Sequence, residues 1–318
     1  MTPIITERLK LVSMSRACLQ ALYEGDYKKA QLIGGFVISP DCSLVKSVWL
    51  GHRLKMIAED PDQLPWLYRA EVGIADNSAA TYAAVSGSGA NTLYMASTLC
   101  TAFTGQTTAY AIQNIGIANA TVTVSYRDLN GNVTNSDSAI ILPNRKASFN
   151  GCNVLPVGYT GSAVVTSVGA PIAGVIKVFG AGANSNTTAP STGSTDVALP
   201  YVRWAPDANY NTGSYRRTFF AIQNVGSNSL PANSAALNFY DSTGTLAAVV
   251  AVPTLAPGQK VSLSPASAGF SWFGYTSGGG ADIGGAVMLH SVPGFSLIAL
   301  VRSSLFNGVS EDYIGVAF

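Results

Sequence analysis

The sequence predicts a mainly β protein, two tandem antiparallel β-sandwiches behind a small α/β segment. Three observations predict it. The four letters AIQN occur twice, with Ile112 and Ile222 standing 110 residues apart. From about residue 90 onward, apolar and polar residues alternate with period two in short runs. Charge is also unevenly placed: residues 1–72 hold nine Lys/Arg and eight Asp/Glu, whereas the other 246 positions hold nine and nine.

A length of 318 residues suits two or three domains. Charged residues make up 11% of the chain, against about 25% in an ordinary globular protein. That profile, rich in Gly and small polar residues, belongs to β-rich extracellular proteins. The net charge of +1 offers no clustered Lys and Arg for counterion release, so nucleic-acid binding is set aside.

Residues 1–72 read as a helical or α/β segment. Leu19, Leu22 and Tyr23 give Ser15–Ala30 a helical spacing, and Val48, Trp49 and Met56 repeat it over Leu44–Ile57. Asp60-Pro61 punctuates the pattern, and WLYRAEV follows as a short strand. On ITERLKLV, ALYEGDYKKAQLIGG and WLGHRLKMIAEDPDQLPWLYRAEV the segment resembles the opening of a GNAT-type acetyltransferase. The resemblance implies a first strand, two helices on the acceptor side and a second strand, less than half of such a domain. Members of that family hold acetyl-CoA on a Gly-rich turn at a helix N-terminus. No such motif follows residue 72, so no catalytic residue and no cofactor are carried over, and Trp49, Trp66 and Arg69 read as packing and surface residues.

Residues 73–89 read as a linker and 90–182 as the first sandwich. Its strands are TLYMAS, TAYAIQN, ATVTVSYRD, SAIIL, KASFN, GSAVVTSV and PIAGVIKVF. In ATVTVSYRD, Val122, Val124 and Tyr126 share one face, and Asp128-Leu129-Asn130-Gly131 supplies a turn. Residues 183–196 read as a small-residue, flexible linker. Residues 197–302 then repeat the strand order as VALPYVR, TFFAIQN, AALNFYDSTG, LAPGQKVSL, GGAVMLHSV and FSLIALVRS. Through IQNxG, Y-x-D-x-x-G and the Pro-led final strand, the pair resembles the tandem Ig-like sandwich repeats of bacterial secreted and cell-surface proteins. The resemblance implies an extracellular structural or adhesive role and supplies no catalytic residues; self-association, or contact with other surface proteins, is the partner reading.

The chemistry-bearing residues are few. His52 and His290, one per region, give no histidine zinc site and no His-based triad. DLNGN, matched by DSTGT in the second copy, is read as a hairpin turn, not a calcium loop. Cys100 and Cys152 could form a disulfide, which the second copy manages without. No apolar leader is visible in MTPIITERLK and no stretch is long enough to span a membrane.

Two loops of the second copy carry the candidate contact residues: Trp204, Tyr210 and Tyr215 in one, Trp272, Phe273 and Tyr275 in the other. Such rings stack on sugar faces, dock on proteins, or plug a sandwich end. The tail 303–318 ends in DYIGVAF, where Tyr313, Ile314, Val316 and Phe318 could add a strand to a neighbouring subunit.

Overall fold

The computed structural model describes residues 4–5, 9–35, 50, 54–55, 58, 69–73, 79–82, 89–103, 105–180, 182–275 and 285–318. They divide into two units, Met1–Val85 and Ser86–Phe318. In the first, strands β1 (Ile4–Ile5), β2 (Leu9–Ser13), β3 (Arg69–Gly73) and β4 (Ala79–Tyr82) form an antiparallel sheet in the order 1-2-3-4. β4 falls inside the stretch expected to be a linker.

Between β2 and β3, helices α1 (Arg16–Glu24) and α2 (Tyr27–Gly34) replace the single helix expected over Ser15–Ala30. The break has a local cause. Gly25 takes φ 80° as the C-cap of α1, and the Asp26 carboxylate then accepts from the Lys29 amide at 3.0 Å to start α2. Trp49, His52 and Trp66 lie outside the described residues.

The second unit is β throughout. Its first half runs β5 (Thr92–Cys100), β6 (Thr107–Asn114), β7 (Ala120–Arg127), β8 (Val133–Ile141), β9 (Lys146–Asn150), β10 (Tyr159–Val168), β11 (Ile172–Gly180) and β12 (Ala183–Thr188). Its second half runs β13 (Asp196–Leu199), β14 (Arg217–Asn224), β15 (Ala235–Tyr240), β16 (Leu246–Ala251), β17 (Lys260–Leu263), β18 (Ala286–Ser291), β19 (Leu297–Ser304), β20 (Ser310–Ile314) and β21 (Val316–Ala317).

The two halves repeat one sheet order. In the first sandwich β5-β10-β7-β8 faces β12-β11-β6-β9, and in the second β13-β18-β15-β16 faces β20-β19-β14-β17, with β21 added beside β13. Both therefore have eight strands in one wiring. Two antiparallel sheets per sandwich are present as expected, but their order is not the Ig-like one: it pairs the first strand with the sixth, where an immunoglobulin sheet pairs it with the second. The cores correspond too. Tyr110 and Tyr126 set their ring centroids 6.3 Å apart in the first sandwich, and Phe220 and Phe239 take those places 6.1 Å apart in the second. The first pair differs in carrying hydroxyls, and Tyr110 satisfies its own by donating to the Ser97 carbonyl at 3.0 Å.

Two expectations are corrected here. Residues 183–196 are not a free linker: β12 pairs with β11 from Gly180↔Ala183 to Val175↔Thr188, alternately burying Ala183, Ser185 and Thr187. The open edge of β11 selects a strand even from small polar residues. Nor is the tail a spare strand. Tyr313 and Ile314 pair with Val301 and Leu300, Val316 pairs with Ala198, and the Phe318 amide donates to the Asp196 carbonyl at 3.3 Å, all within this chain. Tyr313, Ile314, Val316 and Phe318 thus extend the sheets of their own sandwich.

The sandwiches also fuse with one another. Ala221, Val225, Ile298 and Leu300, on the outer side of β14 and β19, share a buried apolar cluster with Leu93 and Met95 of β5. Hydrogen bonds surround this contact: Ser162 Oγ to the Gly258 carbonyl (2.7 Å), Gln259 Nε2 to the Leu129 carbonyl (2.6 Å) and Ser185 Oγ to Asp312 Oδ2 (2.8 Å). The Asp312 side chain is 1% exposed and is held by Arg302 at 2.8 Å, so the charge is paired where it is buried. Gly258 is a tight point of this contact, because a Cβ there would lie 2.6 Å from Arg127 Nε.

Candidate functional site

The irregular segments that lengthen the second copy meet at one end of its sandwich. Trp204 and Phe273 tie them together by exchanging backbone hydrogen bonds of 2.9 and 3.0 Å. Phe273 is fully buried, with ring centroids of Phe270 and Phe239 at 4.9 and 5.4 Å, and Trp204 is 8% exposed. The expectation that these two rings meet a ligand is therefore corrected. Larger loops need an apolar anchor of their own, and Trp204 and Phe273 supply it.

The other expected rings form two groups. Tyr215, Trp272 and Tyr275 are half-buried and meet edge to face, with centroids 5.3, 5.3 and 5.7 Å apart. Tyr275 Oη accepts from the Arg216 amide at 2.6 Å, and burial raises its pKa. Tyr210 sits apart from that triad: its hydroxyl donates to the Leu305 carbonyl at 3.1 Å and its ring abuts Phe306 at 5.7 Å.

Arginines knit these rings. Arg217 lies 4.6 Å from the Trp204 ring and 4.7 Å from the Tyr210 ring, while Asp207 pairs with it at 2.7 Å. Arg216 reaches Glu311 at 3.1 Å. Arg203 differs. It lies 4.7 Å from the Tyr201 ring and 5.8 Å from that of Tyr275, and its Nη1 donates to the Val202 carbonyl, yet among the described residues it has no carboxylate partner. Tyr201 is 39% exposed and Phe306 58%. The surface thus offers exposed rings beside a cation that has no acidic partner among the described residues.

Tyr201, Arg203, Arg217 and Phe306 were missed from sequence. The doublet Arg216-Arg217, in a copy otherwise poor in charge, was the available signal. Residues 276–280 of the second loop lie outside the described residues.

Elsewhere the polar motifs resolve into turns and ties. Asp128 Oδ1 accepts from the amides of Asn130 and Asn132 at 2.9 Å, and Asp241 Oδ1 does the same for Thr243 and Thr245. His290 Nδ1 lies 2.6 Å from Asp196 Oδ1, a contact that leads the causes holding the Asp196 carboxyl below its usual range. Cys100 and Cys152 are joined in a disulfide, with Cα atoms 4.9 Å apart. Among the described residues no three His, Cys, Asp or Glu side chains gather where they could hold a metal ion, and no helix is long and apolar enough to cross a membrane.

No protein-family description matches the chain, and no curated protein does. Solved structures aligned to it include a β-glucuronidase from glycoside hydrolase family 2, at 10% identity over 71% of this chain and 23% of that one, with a TM-score of 0.15. A glycosyl hydrolase family 2 member from Bacteroides cellulosilyticus aligns at 9% identity over 76% of this chain and 33% of its own, with a TM-score of 0.19. The apo β-glucuronidase from Ruminococcus gnavus aligns at 8% identity over 76% and 40%, with a TM-score of 0.12. The chain spans less than half the length of each, and at such scores the likeness carries no argument. The mainly β, sandwich class of this chain rests on its own sheets.

Proposed function

We propose that this chain is a non-enzymatic structural or adhesive protein of a cell surface or extracellular space, which makes contact through the aromatic and arginine-rich end of its second sandwich. The observation that carries the reading is the pairing of exposed Tyr201 with Arg203, a cation lacking an acidic partner among the described residues, on a body fused from two sandwiches. Rigid mounting lets such a contact form with little ordering cost. The Cys100–Cys152 disulfide fits an oxidising compartment. Another surface protein is the first partner class. A carbohydrate bearing a carboxylate is the second, favoured by a flat ring adjoining a guanidinium.

The test is binding of the full chain to a glycan array and to a panel of extracellular-matrix and cell-surface preparations, repeated with Tyr201→Ala and Arg203→Ala. Binding lost in both variants at unchanged melting temperature supports the reading. Binding indifferent to both would refute the site. For the opening unit, calorimetric titration with acetyl-CoA separates a non-enzymatic role from an acetyltransferase one, since saturable heat would contradict the proposal.

A further inference from the structure

The two sandwiches present the same outer edge, and only one of them is closed. Among the described residues, β8 and β16 each end a sheet, hydrogen-bonded on one side to β7 and β15. In β8, Asn135 Oδ1 accepts from the Ser136 amide and Asp137 Oδ1 from the Ser138 amide, both at 2.8 Å. Side chains thereby occupy two alternate N–H groups of that edge. This is a chemical block against strand addition.

Register identifies the matching groups in the second copy. Ser136 and Ser138 stand opposite Ser125 and Thr123 of β7; Val249 and Ala251 stand opposite Asn238 and Ala236, the equivalent residues of β15. The Val252 amide donates inward to the Ala235 carbonyl at 2.8 Å, so by strand alternation the amides of Val249 and Ala251 point outward. The places of Asn135 and Asp137 are taken by Ala248 and Val250, which have no acceptor to offer. Leu246–Ala251 reads LAAVVA, without charge, Pro or Gly, and Leu246 and Val249 are 50% and 55% exposed. Its register with β15 shifts at Ala247, but from Ala248 to Ala251 the edge is regular and carries no charge, Pro or side-chain acceptor.

We propose that β16 is a homotypic assembly strand: it pairs antiparallel with β16 of a second copy about a two-fold axis, Val249 opposite Val249. A second copy fits because the edge complements itself. Val249 presents both N–H and C=O outward, so two of them exchange a closed pair of hydrogen bonds. In that register Ala248 meets Val250, small against large. Electrostatics selects the antiparallel sense: it places the two Asp241 turns at opposite ends, whereas a parallel pairing would set two carboxylates side by side. The product joins two five-stranded sheets into one of about ten strands, within the range open sheets reach. This surface lies on a different strand from every residue of the proposed contact end, so each can fail alone.

Sedimentation equilibrium of the full chain tests the proposal, with Val249→Lys and Val249→Pro as variants. Proline removes only the outward N–H, and lysine adds the charge that natural edges carry, so one reports if the other folds poorly by circular dichroism. The expected result is mass rising with concentration from 32.9 kDa toward twice that value, with both variants fixed at 32.9 kDa. Val249→Cys should cross-link to itself under mild oxidation, because the facing Cα atoms would stand about 5.5 Å apart. A wild-type chain monomeric at every soluble concentration would overturn the proposal, and so would association undiminished in both variants. The second outcome would leave the structural role intact and move the interface elsewhere.

Discussion

Asn114 and Asn224, fully buried at the ends of β6 and β14, make the same three side-chain hydrogen bonds. Asn114 Nδ2 donates to the carbonyls of Ala118 (2.7 Å) and Ile141 (2.8 Å), and its Oδ1 accepts from the Gly116 amide (2.9 Å). Asn224 repeats this with Asn228 (2.8 Å), Leu255 (2.9 Å) and Gly226 (3.0 Å). The repeated AIQN is thus an apolar strand ending in a buried amide that fastens its own turn to the loop before the neighbouring strand. Asn114→Ala and Asn224→Ala should each destabilise by about 2–4 kcal/mol, since buried carbonyls lose their donors. Denaturant unfolding measures this, and near-equal losses are expected at the two sites.

The turn beside each asparagine gives an asymmetric prediction. Pro143-Asn144 and Pro257-Gly258 both place their second residue at positive φ, 61° and 78°. Asn144→Gly should change stability by less than about 1 kcal/mol. Gly258→Asn suits the same backbone angle, yet its Cβ would meet Arg127 and disturb the contact between sandwiches. It should lower the unfolding midpoint more than Asn144→Gly does, and additional loss of the Arg127 contact in Arg127→Ala should reduce that difference.

Lys260 gives the second unit an alkaline stability rise. It is 6% exposed, and burial, followed by the nearby Arg302 charge, lowers its pKa to about 8. Its counterpart Lys146 is exposed. Because the folded pKa lies below the unfolded one, the unfolded chain holds the extra proton between pH 8 and about 10.5, and stability climbs with pH through that window. The gain is at most about 3 kcal/mol. Buried Tyr110 and Tyr126 and half-buried Tyr313 act oppositely: desolvation raises each phenol, so their contribution is lost as pH rises beyond about 10, where unfolded tyrosines ionise. Thermal melts should peak between these limits, and Lys260→Met should flatten the rising limb.

Reduction of Cys100–Cys152 releases a 52-residue constraint. The chain-entropy estimate is about 4 kcal/mol. Unfolding midpoints with and without reductant should differ accordingly, while Cys100→Ser/Cys152→Ser should respond to reductant not at all.

Alternation made most of this fold legible. Val122, Val124 and Tyr126, named from period two, are fully buried on one face of β7, and the repeated AIQN register survives as Ile112↔Gly174 and Ile222↔Ala299. What stayed hidden depended on partners distant in sequence. β12 contains no large apolar residue and exists because β11 offers an edge; β16 is the unannounced hairpin mate of β15; and DYIGVAF reads as spare until β13 and β19 are seen to need it. At the candidate site the aromatics were visible as a class, but burial decided their roles. Trp204 and Phe273 look no different in sequence from Tyr201 and Phe306, whose rings reach solvent.

Fusion of the two sandwiches into one body is the claim on which the reading rests, and native-state hydrogen exchange of the full chain tests it most directly. The slowest amides of β6 and β14 should exchange with the same opening free energy and the same denaturant dependence, as parts of one cooperative unit. A β14 that opens at markedly lower free energy while β6 stays protected would contradict it.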